Sequence, residues 1–311
     1  MRALVCPGVA DQWSCATAAT GGAVPDDRDF RELLGRLSAK ASSDYYHPYT
    51  TFAWPPALPG DEYWFSPELL SVHGTEYADE LSDEQLCVLS RWESVNFYSL
   101  NVHGIRDLLI EVIRRVHTPG FEVPSEFFHH FVGEENEHMW LFAGFCLRYG
   151  GRIYPDDTLR PPAVGQDPAL ENFLVFARIL LFEQIVGHYN VRLAADTRLH
   201  PTIRQLNRIH HQDESRHIAF GVRLVRLLWE RLTESGLDED GRRAAGRCLS
   251  EYLRTTMASF YSPAAYRDAG LADGLLLRKR LLDHPARQAA HARVLRKATD
   301  FLHGIGVPVT V

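Results

Sequence analysis

Cysteine is scarce in this sequence, and its spacing excludes the usual thiolate sites. The 311 residues include only five cysteines, and no two of them form a CxxC pair. We therefore expect neither a disulfide framework nor a zinc or iron–sulfur site held by thiolates. The cysteines are Cys6, Cys15, Cys87, Cys146 and Cys248.

Long apolar runs and an excess of basic charge are also missing. Charged residues interrupt every apolar stretch before it reaches the ~18–20 residues of a membrane helix. The apolar stretch at the N-terminus is too short for a secretory signal. With 33 Lys and Arg against 40 Asp and Glu, the net charge is −7, so no basic surface for nucleic acid or an anionic membrane is expected. We expect a cytoplasmic protein without nucleic-acid or membrane partners.

The pattern of apolar residues predicts an all-α bundle, with no credible hairpin or alternating strand pair. We interpret residues 1–311 as a single domain in three parts. Residues 1–80 form an N-terminal segment, with one short helix at 29–40, that wraps the main body. Residues 81–235 form a four-helix core, and residues 236–311 form C-terminal helices at about 240–260 and 282–304.

Capping and breaking residues delimit the four long core helices. Ser82 opens the first and a Thr-Pro-Gly turn at 118–120 ends it, while Ser125 caps the second, which stops at Gly150 and Gly151. Pro201 suits the first turn of the fourth. The predicted spans are 83–117, 125–150, 168–196 and 201–232.

Histidine is abundant, with 15 residues, and two Glu-x-x-His pairs lie directly before apolar runs on separate long helices. Glu135 and His138 lie on the second long helix, and Glu214 and His217 lie on the fourth. At this spacing both side chains share one helix face, and both pairs adjoin apolar runs. A carboxylate and an imidazole facing an apolar bundle are costly unless a cation compensates them. Two such pairs, with carboxylates from the other two helices, form the ligand set of di-iron or di-manganese bundles.

Two further residues extend this pattern. Glu183 is the lone acid in a strongly apolar stretch of the third helix, where an unpaired carboxylate would protonate. His210 precedes Glu214 by four residues and therefore shares its face. The predicted metal ligands so far are Glu135, His138, Glu183, His210, Glu214 and His217.

Over residues 80–235 these motifs resemble the di-iron arylamine N-oxygenases, the p-aminobenzoate N-oxygenase type. The His-x-x-x-Glu-x-x-His run that begins at His210 is the specific part of the resemblance. It implies a ferritin-like fold and two irons, with manganese–iron as the alternative pair. It further implies that O₂ binds the reduced pair as a bridged peroxo species and oxidises an amine to hydroxylamine and nitro products in secondary metabolism. Expected partners are a small-molecule amine or carrier-bound substrate, an external electron donor and, as one assembly, a second copy in a homodimer.

The first long helix departs from the family pattern. The family would place a glutamate 30–35 residues before Glu135, but residues 100–105 read Leu-Asn-Val-His-Gly-Ile. Counting back from the turn at 118–120, in an antiparallel hairpin, reaches about position 103. His103 is therefore the preferred ligand, followed by Glu93 and then by Asn101 and Glu111. The first helix giving no ligand at all stays open.

Two other functions use the same motifs. One is a di-iron hydroxylase or desaturase that attacks a C–H bond of a small or carrier-bound substrate. The other is a non-enzymatic ferritin-like metal-binding protein. Outside the ligand set, Asp213 and Glu134 are candidates to hydrogen-bond a ligand histidine or to face solvent. Arg178 and Arg106 could each pair with a substrate carboxylate or with a neighbouring acid.

Overall fold

All regular secondary structure in the described part of the chain is helical. A computed structural model describes residues 23–156 and 167–311. The predicted all-α fold is confirmed. The α-helices are α1 (Arg28–Ser43), α2 (Pro48–Thr51), α3 (Glu76–Asp79), α4 (Asp83–Ile113), α5 (Ser125–Phe145), α6 (Pro168–Ala195), α7 (Pro201–Glu234), α8 (Glu239–Ser259), α9 (Pro263–Asp268), α10 (Gly274–Asp283) and α11 (Pro285–Gly304).

The ends of the long helices follow local chemistry. Ser82 and Gln85 form a capping box at the start of α4, each side chain accepting a hydrogen bond from the backbone N–H of the other. Ser125 is not the N-cap that the sequence predicts: Pro124 takes that position. The Ser125 hydroxyl instead donates to the carbonyl of Phe121 and accepts from the N–H of His117, which secures the preceding turn.

The end of α5 is a π-helical turn, Cys146–Gly150, followed by Gly151. Gly151 adopts a left-handed conformation with φ of 68°, which glycine tolerates without steric cost. A Cβ on Gly150 would overlap the side chain of Val95 on α4. The two helices therefore approach closely here because no side chain separates them.

The four long helices form two antiparallel pairs. At the end of the α4–α5 pair, Ser99 contacts Cys146 at 3.7 Å, and Val95, one turn earlier on α4, meets Gly150, one turn later in the π-helical turn that follows α5. In the α6–α7 pair, Leu180 packs against Gly221, whereas Asn190, further along α6, contacts His210, earlier on α7. This arrangement directs the Glu and His faces of α5, α6 and α7 into one interior.

Residues 1–22 of the predicted N-terminal segment lie outside the described residues, and the part that follows them packs against this core. Phe30 of α1 stacks on Phe220 of α7 with ring centroids 6.1 Å apart. Further along, Trp54 lies over Gly144, and Trp64 meets Phe145 edge-on. Among the described helices, none combines the length and the apolar character needed to cross a bilayer.

Candidate metal centre

The six ligands predicted on the second to fourth long helices come together in the bundle interior. All six are buried, with exposed fractions of 2% or less. Their donor atoms form two overlapping groups, and within each group the atoms lie within 4.8 Å of one another. One group is Glu135, His138, His210 and Glu214, and the other is Glu135, Glu183, Glu214 and His217.

Two carboxylates, Glu135 and Glu214, belong to both groups. Each of these residues also starts a Glu-x-x-His pair, so one turn of helix delivers a shared carboxylate and an imidazole together. Nδ1 of His217 lies 2.7 Å from Oε1 of Glu135 and 3.5 Å from Oε2 of Glu214. The arrangement fits two cations bridged by two carboxylates, the ligand pattern of dinuclear helix bundles.

The donor atoms are close together but make no hydrogen bonds with one another. Buried and without hydrogen-bond partners are both carboxylate oxygens of Glu135 and Glu214, Oε1 of Glu183, Nε2 of His210, and Nδ1 of His138 and His217. Buried polar atoms are normally paired, so this concentration of unpaired donors in a dry interior calls for cations. Imidazole and carboxylate without thiolate suit iron or manganese, and the residues therefore fit a di-iron centre.

Two outer carboxylates orient the ligand histidines. Nε2 of His138 donates to Oδ2 of Asp213 over 2.9 Å, and Nε2 of His217 donates to Oε2 of Glu134 over 2.8 Å. These bonds leave Nδ1 of each ring free to face the donor groups. Each contact crosses between α5 and α7, so each helix orients the other's ligand.

Arg216 joins the two outer carboxylates. Its Nη2 donates to Glu134 over 2.5 Å and to Asp213 over 2.6 Å. The guanidinium is buried, as is the Glu134 carboxylate. One cation therefore compensates both carboxylates and connects the supports of His138 and His217.

His210 is held differently from the other two histidines. Its Nε2 lies 2.8 Å from Oε1 of Glu214, while its Nδ1 contacts the Asn190 amide at 2.5 Å. Ligation through Nε2 leaves the proton on Nδ1, which then needs an acceptor. The Asn190 oxygen, which is buried and has no other partner, becomes that acceptor after a half-turn of the amide.

In the metal-free centre, protons balance part of the charge. Burial, together with the negative charges of Glu214 and Glu135, raises the pKa of Glu183 well above its usual range. Burial alone would lower the pKa of His138, but the hydrogen bond to Asp213 and the contact with Glu135 raise it to about 10. The pKa of His217 is raised well above its usual range despite burial, because Glu214 and Glu134 favour its charged form.

We expect metal uptake to release these protons. Ligation requires neutral imidazole and ionised carboxylate, so protons compete with metal for Glu183, His138 and His217. Apparent affinity for Fe(II) or Co(II) should therefore rise between pH 6 and pH 8. This range lies below the raised pKa of His138, where metal must still displace its proton. Competition with a chelator at several pH values measures this trend. An affinity independent of pH, after correction for the chelator, would contradict it.

His103, the preferred ligand on α4, does not join the donor groups. Its Nε2 lies 2.7 Å from the carbonyl of Tyr154, and its Nδ1 lies 3.2 Å from Arg106. Both ring nitrogens are therefore engaged on another face of α4. Counting from the turn could not distinguish one face of the helix from another.

Two alternatives on α4 are also engaged elsewhere. Glu111 pairs with Arg114 and Arg115 through contacts of 2.9 and 2.8 Å. Glu93 accepts hydrogen bonds from the backbone N–H and the hydroxyl of Ser71, in a buried site away from the donor groups. Asn101, the remaining alternative, is buried with its side-chain oxygen unpaired.

Glu93 predicts a pH effect on stability. Burial raises its pKa to about 7, although Ser71 acts in the opposite direction. The folded state therefore retains a proton that the unfolded chain loses near pH 4.5, and the stability this adds declines as pH rises towards 7. We expect the free energy of unfolding of Glu93→Gln, relative to that of the wild type, to increase by on the order of 3 kcal/mol from pH 4.5 to pH 8. Denaturant unfolding at several pH values measures this difference. Glu84 is exposed on the same helix, and Glu84→Gln should show no such trend.

Sequence reasoning did not identify Asn190 and Arg216 as parts of the site. Asn190 follows Glu183 by seven residues, two helical turns, and so shares its face. Arg216 stands between Glu214 and His217, where a buried cation beside two ligands could have indicated outer carboxylates. In both cases at least one partner comes from another helix, His210 of α7 for Asn190 and Glu134 of α5 for Arg216.

Comparison with known proteins agrees with this geometry. The family model described as p-aminobenzoate N-oxygenase AurF matches residues 27–306. Uncharacterised proteins of Mycobacterium bovis and Mycobacterium tuberculosis are 23% identical over 224 residues, covering 68% of this chain and 64% of theirs. The chain thus spans about 64% of the length of these curated relatives. The family match extends over the segments on both sides of the four-helix core, and we conclude that the chain belongs to the p-aminobenzoate N-oxygenase family of di-iron oxygenases.

Proposed function

We propose that this protein is an O₂-dependent non-haem di-iron oxygenase that oxidises the nitrogen of an amine. The observation that carries the proposal is the pair of donor groups sharing Glu135 and Glu214. When bound, two irons would supply the activation of O₂. The first step, R–NH₂ with O₂, two electrons and two protons giving R–NHOH and water, requires an external electron donor.

A cavity between α4, α6 and α8 supports access of a small substrate. Its volume is about 270 Å³, near the lower end for small-molecule sites. Phe182, the neighbour of Glu183 on α6, and Tyr252 of α8 line it. We infer that substrate reaches the Glu183 side of the centre through this cavity.

Arg178 gives the cavity a fixed positive charge. It lines the wall, and no carboxylate within the described ranges pairs with it. Arg106, the other candidate, pairs with Asp107 and Asp156. Asp107 and Glu111 also line the cavity, but each pairs with a neighbouring arginine. A substrate carboxylate would therefore pair with Arg178 and not with Arg106.

The protein's own residues would orient the metals and keep the centre dry. Glu135 and Glu214 would each help to hold both ions, while Asp213 and Glu134 hold His138 and His217 with Nδ1 free to bind metal. Phe131 packs against the His217 ring, with centroids 4.3 Å apart, and Phe142 packs against His210 at 4.8 Å. These rings place apolar surface against two of the ligand histidines.

The test is anaerobic reconstitution with Fe(II), reduction, and exposure to ¹⁸O₂ with single-ring aromatic amines. We expect a hydroxylamine or nitro product carrying ¹⁸O, detected by mass spectrometry. Hydroxylation or desaturation at carbon would overturn N-oxygenation while leaving a di-iron oxygenase. Fewer than one metal per chain after reconstitution would overturn every metal-dependent function.

A further inference from the structure

Helix α4 lies beside the metal centre without giving it a carboxylate or an imidazole. Within the described residues, both donor groups draw only on α5, α6 and α7. The acids and the histidine of the second half of α4 are engaged elsewhere: His103 with Tyr154 and Glu111 with two arginines. The fourth wall of the centre must therefore be completed by another kind of side chain.

The register of α4 against α5 places Asn101 at the level of His138. Tyr98 stacks on Phe142, with ring centroids 5.2 Å apart. Asn101 is one turn after Tyr98 on α4, and His138 is one turn before Phe142 on α5. Because the helices run antiparallel, both steps lead in the same direction along the bundle, so Asn101 and His138 reach the same level.

Two neighbouring contacts confirm that this face of α4 points into the bundle. The Tyr98 hydroxyl accepts a hydrogen bond from Asn207 of α7 over 2.7 Å, one turn before His210. On the other side of Asn101, a Cβ on Gly104 would overlap the ring of Phe182, which adjoins Glu183. Asn101 thus lies between contacts to α7 and to α6.

The Asn101 amide has one satisfied end and one unsatisfied end. Its Nδ2 donates to the carbonyl of Phe97 over 2.8 Å, which ties the nitrogen to its own helix. Its Oδ1 has no partner, although the residue is only 1% exposed. An unpaired amide oxygen in a dry interior is costly, and a carbonyl oxygen is an acceptable donor to Fe²⁺ or Mn²⁺.

We propose that Oδ1 of Asn101 is the ligand from α4 for the ion held by Glu135, His138, His210 and Glu214. This inference rests on the proposed di-metal function. A neutral amide leaves three carboxylates facing two divalent cations, so one positive charge stays uncompensated. The ion beside Asn101 consequently binds more weakly than the ion beside Glu183, and the centre accepts a small external anion such as azide.

The test is a titration of the full-length, metal-free protein with Co(II), followed by absorption spectra and chelator competition. Asn101→Leu removes the donor at similar size, and Asn101→Asp adds the charge at the same size. We expect the Leu variant to weaken one of the two ions at least about tenfold, the scale seen when a metal site loses a supporting group. The Asp variant should tighten that ion by a similar factor and abolish the spectral change on adding azide.

Asn96→Leu is the matched control, because Asn96 is a buried amide of the same helix that donates to the carbonyls of Ser259 and Phe260. It should leave both Co(II) affinities unchanged. Two-ion binding unaltered in both Asn101 variants would overturn this inference alone. If no form of the protein binds Co(II), both the inference and the proposed function fail. Thermal melting identifies a variant that does not fold, and the isosteric Asp variant then carries the test.

Discussion

Replacing Glu135 with Gln is expected to remove both metal ions, although it changes only one side chain. Glu135 belongs to both donor groups, and Nδ1 of His217 lies 2.7 Å from its Oε1. An amide keeps the size of the side chain but loses the charge that two divalent cations share. We expect both affinities to fall at least about a hundredfold, beyond the 10–100-fold cost of losing an outer support. Metal analysis after dialysis should then find less than one ion per chain.

Two matched variants make this result interpretable. Glu183→Gln should lose one ion and retain the other, because Glu183 belongs to only one donor group. Glu137→Gln should retain both, since Glu137 lies outside the groups and accepts a hydrogen bond from Tyr45 over 2.8 Å. If Glu135→Gln and Glu183→Gln each lost a single ion, Glu135 would not bridge.

Replacing Arg216 with Met is expected to weaken both ions without removing any ligand. The guanidinium holds Glu134 and Asp213, which in turn orient His217 and His138. Without the guanidinium, the largely buried carboxylates of Glu134 and Asp213 lose their compensating cation. The two imidazoles that these carboxylates orient then lose their fixed orientation. We expect a 10–100-fold loss in affinity for each ion. We also expect about 3–5 kcal/mol lower stability of the metal-free protein, the cost of breaking a buried ion pair.

Chelator competition and denaturant unfolding measure these two effects. Arg106→Met is the control, because the Arg106 side chain that pairs with Asp107 and Asp156 is half exposed, and ion pairs of exposed side chains contribute about 0–1 kcal/mol. Arg216→Lys should recover part of the stability but less of the affinity, since an ammonium lacks the planar geometry of guanidinium. Wild-type affinity in Arg216→Met would show that the outer carboxylates need no shared cation.

The sequence alone was sufficient for the helical class and for six donors of the centre. Helical spacing puts Glu135 with His138, and His210 with Glu214 and His217, on single faces. Glu183 is conspicuous as a lone acid among apolar residues, where a carboxylate stays ionised only if a partner compensates its charge. These inferences are local: each needs only one helix and the cost of burying charge.

The residue that we propose as the ligand from α4 could be chosen only from the tertiary structure. Counting from the turn at 118–120 reached about position 103, but His103 and Asn101 are two residues apart and so about 200° apart around the helix. Only the packing against α5 and α6 shows that Asn101 faces inwards and that His103 reaches Tyr154.

The outer network is also a tertiary property. Glu134 and Asp213 each precede a ligand glutamate by one residue, so along their own helices they point away from the ligand face. They support the centre because the partner helix brings His217 to Glu134 and His138 to Asp213. Helical periodicity determines which residues share a face, whereas the distance between faces on two helices depends on how those helices pack.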